Sequence, residues 1–160
     1  MFFVDYLQNL QTMKNFFTLL LVVVSTALYA QKTDYNTKKG YVAEGYDVVS
    51  YFTNDEPVEG KKKFQTTYDG AKFKFSSEKN LSLFKENPTK YIPQYGGYCA
   101  YAIGKTGEKV DIDPKTFEIR GGKLYLFYNS WGTNTLKMWL KENPEELKKQ
   151  ADLNWKKLNR

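Results

Sequence analysis

The sequence predicts an α+β fold: a small single domain of antiparallel hairpins and helices that closes with an amphipathic C-terminal helix. Three observations predict it. Two strand-like runs, Phe64 to Phe75 and Glu118 to Phe127, are broken at Asp69-Gly70-Ala71 and at Gly121-Gly122, each of hairpin length. Each run is followed by apolar residues at helical spacing, and both helices stop at the same tetrapeptide, Lys-Glu-Asn-Pro, at 85 to 88 and 141 to 144. That repetition raises an internal duplication of a hairpin-helix unit, against the plainer account that Asn-Pro is a common way to stop one helix and start another.

The elements follow in order. Residues 1 to 30 read as an N-terminal extension and signal peptide: Lys14 precedes an apolar run from Phe16 to Val24, and small residues lead to Ala30. Cleavage is expected after Ala30, with Ala27 as the alternative, and Met13 is the expected true start of translation. The run is shorter than the ~20 residues that span a bilayer, so an exported protein, periplasmic or secreted, is expected over a membrane anchor. Residues 31 to 40, polar and aperiodic, read as a flexible tether, and 41 to 160 as the folded domain.

Within the domain, Tyr46 to Phe52 reads as a strand, being rich in β-branched and aromatic residues. Phe73 and Phe75 alternate with Lys72 and Lys74, which gives the first hairpin one buried face. Ser76 or Ser77 caps a helix through Leu81 and Phe84. In the second unit, aligned from Lys72 onto Lys123, Leu124 and Leu126 take the places of Phe73 and Phe75. Asn129 or Ser130 caps a helix through Leu136, Trp139 and Leu140, which needs about one extra helical turn over the first copy. The last helix starts at Pro144, with Leu147, Ala151, Trp155 and Leu158 on one face.

The absences limit the chemistry. The 160 residues contain no histidine and one cysteine. No histidine-dependent hydrolase, histidine metal triad, CxxC redox pair or Cys₄ zinc site is available, and no disulfide forms within the chain. The formal charge is +6, carried by dispersed lysine clusters, and it reads as a solvated surface with peripheral attraction to anionic surfaces as the alternative. Nucleic acid is not an expected partner; a small molecule or a metal ion is. Oligomeric state is not readable.

The candidate site is Tyr95-Gly96-Gly97-Tyr98-Cys99-Ala100-Tyr101. Cys99 reads either as a reactive thiol or as a small apolar filler. Gly96 and Gly97 let a chain or ligand approach closely, and period-two spacing would set Cys99 and Tyr101 opposite Tyr98 and Ala100. Tyr91, Tyr95, Tyr98 and Tyr101 read as core or as the lining of a pocket for a small ligand or sugar. Asp111 and Asp113, two apart, are metal candidates beside Cys99, although Asp113 before Pro114 also suits a turn. A metal ion is the one cofactor left open.

Gly45 to Phe52, Tyr68 to Ala71, Tyr91 to Tyr101, Ile112 to Pro114 and Gly122 to Leu126 together resemble the exported bacterial YHS domain-containing (seleno)proteins. The resemblance runs from Tyr41 to Trp155 and implies a small α+β protein. Related modules bind metals through cysteines at positions that correspond to Ser76 and Asn80, so the thiolates are missing here and a copper or zinc site does not carry over. Selenocysteine in some members corresponds to Cys99, which the resemblance makes a reactive candidate. The expected function is a binding module with Cys99 central to its site; the alternatives are a single-thiol redox protein and a structural domain with an inert thiol.

Overall fold

The computed structural model describes residues 10–16 and 33–159. Two units are distinct, Met1–Gln31 and Lys32–Arg160. In the first, residues 10–16 are helical (α1). Both signal cleavage positions, and the apolar run beyond Phe16, lie outside the described residues. No helix among the described residues is long and apolar enough to cross a membrane.

The second unit is an α+β domain made of two copies of one arrangement. Its strands are β1 (Thr37–Lys38), β2 (Tyr41–Val42), β3 (Lys61–Tyr68), β4 (Ala71–Phe75), β5 (Asp113–Arg120), β6 (Lys123–Phe127), β7 (Asn129–Ser130) and β8 (Thr133–Asn134), paired antiparallel as four two-stranded ladders. Its helices are α2 (Ser50–Thr53), α3 (Glu78–Glu86), α4 (Pro88–Tyr91), α5 (Ala100–Lys105), α6 (Thr135–Lys141) and α7 (Pro144–Leu158). Two 3₁₀ turns, η1 (Ala43–Gly45) and η2 (Gln94–Gly97), open the two copies.

One constant shift in numbering carries η1 onto η2 and β3-β4 onto β5-β6. Ala43, Glu44 and Gly45 have φ of 51°, 55° and 87°; Tyr95, Gly96 and Gly97 have 54°, 61° and 84°. Both turns then release into extended tyrosines, and Tyr46 N–H and Tyr98 N–H each donate back across the turn at 3.0 Å. The hairpins share even their irregularity: Lys61 pairs Phe75 and the register then jumps to Gln65 with Lys74, while Asp113 pairs Phe127 and jumps to Phe117 with Leu126. The same bulge at the same place bends both long strands. The helices match as well, since Asn80 and Phe84 of α3 and Thr135 and Trp139 of α6 are buried with one spacing.

Several elements differ from what the sequence suggests. Tyr46 to Phe52 is not a strand. Asp47 Oδ1 accepts from Val49 N–H at 2.9 Å and Asp47 C=O from Ser50 N–H at 3.0 Å, so a local aspartate turn overrides β-propensity and starts α2. Phe73 and Phe75 correspond to Tyr125 and Phe127 rather than Leu124 and Leu126, because the register follows the turns and not the lysines. The cap of α6 is Asn134, whose side chain accepts from Lys137 N–H at 3.1 Å; the extra residues between β6 and α6 form the β7-β8 hairpin, not a helical turn. The run after Cys99 is α5, so strand alternation does not set its faces.

Ser77 caps α3 through Asn80 N–H at 3.1 Å, and Asn143 with Pro144 opens α7. One core joins both copies, with Phe73, Phe75 and Phe84 from the first and Leu124, Phe127 and Trp139 from the second fully buried. Leu140 and Leu158 fall outside it, being exposed, whereas Ala151 is buried where α7 packs on α5. That approach depends on Gly104: a Cβ there would stand 2.7 Å from the Leu147 carbonyl oxygen.

Of the residues read as a tether, 33 to 38 are instead bonded to the domain. Asn36 N–H donates to Gly96 O at 2.9 Å, its side-chain amide donates to Gly97 O at 3.2 Å, and Asp34 pairs with Lys109 at 2.6 Å. The polar composition that suggested a tether supplies these bonds.

Candidate functional site

Cys99 follows η2, leads into α5 and is fully buried. Its backbone N–H donates to Val110 O at 2.9 Å, and its sulfur accepts from Tyr128 N–H at 3.4 Å. The sulfur also lies 3.3 Å from Thr135 Oγ1. The Thr135 hydroxyl hydrogen is directed to Tyr128 O at 2.9 Å, which leaves the thiol as donor in the Cys99–Thr135 contact. Thiol, hydroxyl and carbonyl thus form a closed chain that fixes β6 to the start of α6.

The first copy places Asp47 where the second places Cys99. Asp47 is fully buried, and its Oδ2 accepts from Ser76 N–H at 2.8 Å, Ser76 Oγ–H at 2.6 Å and Asn80 Nδ2–H at 2.7 Å. Ser76 and Asn80, the positions where metal-binding relatives carry thiolates, therefore converge on one point. The donor set there is a hydroxyl and an amide N–H that already satisfy a carboxylate, and it does not fit a soft metal ion.

Of the other metal candidates, Asp111 is exposed and Asp113 anchors the bulge of β5. Asp113 accepts from Lys115 N–H and Thr116 Oγ–H, both at 3.0 Å, which is the turn role the following proline suggested. Among the described residues, no group of three or more His, Cys, Asp or Glu side chains is placed to hold a metal ion.

The tyrosines separate. Tyr101 is buried and donates to Glu142 Oε1 at 2.8 Å, and Tyr91 is buried edge-on to Phe52. Tyr98 is half-buried beside Trp155, with Lys109 Nζ 5.7 Å from its ring and 5.6 Å from the indole. Tyr95 and Gly96 alone of the sequence candidates line an open cleft of about 540 Å³. This volume lies in the usual range for small-molecule sites, roughly 300–1,000 Å³.

Three other aromatic residues, Tyr35, Tyr68 and Trp155, line the same cleft. Asp69, Asp152, Lys123 and Lys156 supply its charged groups. Tyr95 Oη–H donates to Asp152 Oδ1 at 3.0 Å. Burial, and then the Asp152 carboxylate, raise the Tyr95 phenol well above the ordinary tyrosine value, so it stays a neutral donor. Burial likewise pushes Tyr35 up to about 12. Gly96 meets the chain that its sequence anticipated: a Cβ there would collide with the Asp34 carbonyl oxygen, and its φ is +61°. Residues 33 to 36 thus fill the space that glycine leaves, and Thr33 and Tyr35 become one wall of the cleft.

Trp155 reads in sequence as core, and Tyr35 as part of a tether; neither is singled out there as a site residue. The available signal was Asp152 three residues before Trp155, a polar residue on the same face of an otherwise apolar helix stripe.

The family model of the YHS domain matches residues 49–95. No curated protein matches the chain, and no solved structure does. The matched span covers α2 through the start of η2 and ends at Tyr95, so Cys99 and the second hairpin lie beyond it.

Proposed function

We propose that this chain, which carries a YHS domain over residues 49–95, is a binding module for a small molecule held in the cleft at Tyr95 and Gly96. The observation that carries the proposal is the cleft itself: four aromatic side chains, two carboxylates and two amines lining an open cleft of about 540 Å³. Cys99 is not among the residues that line the cleft. Its bonds to Tyr128 and Thr135 hold the segment after η2 against β6 and α6. A buried, hydrogen-bonded thiol supports a positioning role over a redox one, and the hydroxyl and amide donors around Asp47 favour a small molecule over a soft metal ion.

The proposal includes export, which the Lys14 and Phe16 to Val24 pattern supports. It includes no nucleic-acid partner; the dispersed lysines act as a solvated surface.

Thermal unfolding of the full chain, followed against a panel of sugars, amino acids, aromatic acids and nucleosides, tests the reading. A compound that binds the native state raises the midpoint by mass action. At least one class is expected to do so, and the rise is expected to vanish in Trp155→Leu. A panel without effect on the midpoint contradicts the proposal.

A further inference from the structure

The charges of the cleft say what kind of molecule it suits. In a chain of formal charge +6, the cleft sets two carboxylates, Asp69 and Asp152, against two amines, Lys123 and Lys156. Neither lysine is in an ion pair among the described residues. Each carboxylate is only partly used, Asp152 by the Tyr95 hydroxyl and Asp69 by Thr33 N–H at 3.1 Å, so lone pairs remain on both. Local charge balance gives a net-charged ligand no advantage. A hydroxyl group, which donates and accepts at once, is matched by a lining that offers both acceptors and donors.

The aromatic walls supply the complementary half. Tyr35, Tyr68 and Trp155 are each only partly buried, so their rings offer apolar surface with polar groups at its edge. A molecule with an apolar C–H face and a rim of hydroxyls fits that surface, and a pyranose ring is such a molecule.

We infer that the ligand of this cleft is a neutral carbohydrate, stacked on the aromatic walls and hydrogen-bonded through its hydroxyls to Asp69, Asp152, Lys123 and Lys156. The inference rests on the reading of the cleft as the binding site. It carries a mechanical consequence. Thr33 and Tyr35 belong to the N-terminal strap, which Asn36 ties to Gly96 and Gly97 and which Asp34 ties to Lys109. A bound sugar adds contacts to the strap, so the strap opens less often when the cleft is filled.

The test is calorimetric titration of the full chain with neutral mono- and disaccharides of the gluco, galacto, manno and N-acetylglucosamine series, beside benzoate as an anionic ring and spermidine as a cation. At least one saccharide is expected to bind, and Trp155→Ala is expected to weaken it about tenfold. Because Trp155 also packs on Tyr95 and Tyr98, Lys123→Ala, exposed at the rim, is the second variant and is expected to weaken the same sugar without loss of fold. Saturating sugar is expected to slow limited proteolysis in residues 33 to 36. Binding of benzoate or spermidine with no saccharide bound overturns the carbohydrate inference and leaves the binding-module reading standing. Saccharide binding that both variants leave unchanged overturns the assignment to this cleft. No binding by any probe overturns the inference, and the wider panel of thermal unfolding then decides the reading beneath it.

Discussion

Cys99 shows how a single residue changes meaning between sequence and structure. In sequence it stands alone, without a histidine or second cysteine to activate it, and the choice between reactive thiol and buried filler stays open. In the fold its sulfur accepts from Tyr128 N–H and faces the Thr135 hydroxyl, and none of it meets solvent. Labelling by a thiol reagent therefore requires opening of the domain. The rate in native protein is expected to rise with denaturant alongside unfolding; fast labelling of the native state would sink the closed-thiol account. Cys99→Ser keeps a donor and an acceptor, whereas Cys99→Ala orphans Tyr128 N–H at a cost of about 1–3 kcal/mol, read as a lower urea midpoint for alanine than for serine. Gly96 is the second such residue. Gly96→Ala drives a Cβ into the Asp34 carbonyl, and the expected outcome is faster proteolytic cutting within residues 33 to 36 while the rest of the domain stays intact.

At the level of elements, the hairpins were legible because Asp69-Gly70 and Gly121-Gly122 punctuate strand-like runs, and α3 because Ser77 and Pro88 bracket it. The failures have a common cause: side chains that bond the backbone locally. Asp47 folded its segment into a turn where Val48 to Phe52 favoured a strand, and Asn134 rather than Asn129 or Ser130 captured the start of α6 after a hairpin that only the fold reveals. The cap is checked by substitution. Asn134→Ala is expected to lower stability by about 1 kcal/mol, and Ser130→Ala to leave it nearly unchanged; equal effects would contradict the assigned cap. Asp47→Ala strips the acceptor from Val49, Ser76 and Asn80, and about 3 kcal/mol or more of destabilisation is expected in chemical denaturation. The Lys-Glu-Asn-Pro repeat suggested the duplication but did not give its register, since the tetrapeptide at 141 stands one residue out of step with the pairing of Asn80 with Thr135 and Phe84 with Trp139; Asp47 and Cys99, moreover, share a place without sharing chemistry.

For the molecule as a whole, titration reports on how the copies and the last helix are joined. Glu142 accepts from Lys105 at 2.6 Å and from Tyr101, and Arg120 holds Glu145; these bonds lower both carboxyls from the ordinary glutamate value. A lowered folded value stabilises above the unfolded value, about 4.3, and that contribution is lost as pH falls through the folded one. At the other end, burial raises Tyr35 and Tyr125 to about 12 and carries Tyr51 and Tyr95 in the same direction. Their contribution is complete below the unfolded value of about 10 and is lost as pH rises above it. Tyrosinate absorbance is expected to rise in a cooperative step with alkaline unfolding; a shallow rise centred near 10, with circular dichroism unchanged, would contradict this burial. The candidate site was half legible. Tyr95 and Gly96 stood out in sequence, but Trp155, Asp152 and Tyr35 come from a helix and a strap far along the chain, and only the closed fold brings them together.

The proposed function stands or falls with whether this cleft takes the ligand. Backbone-assigned NMR spectra of the full chain, recorded during titration with the panel compound that most raises the unfolding midpoint, test it most directly. Shifts are expected at the Gly96 and Lys123 amides and at the Trp155 indole N–H. Shifts that spare all three and gather around Asp111 and Asp113 would contradict it.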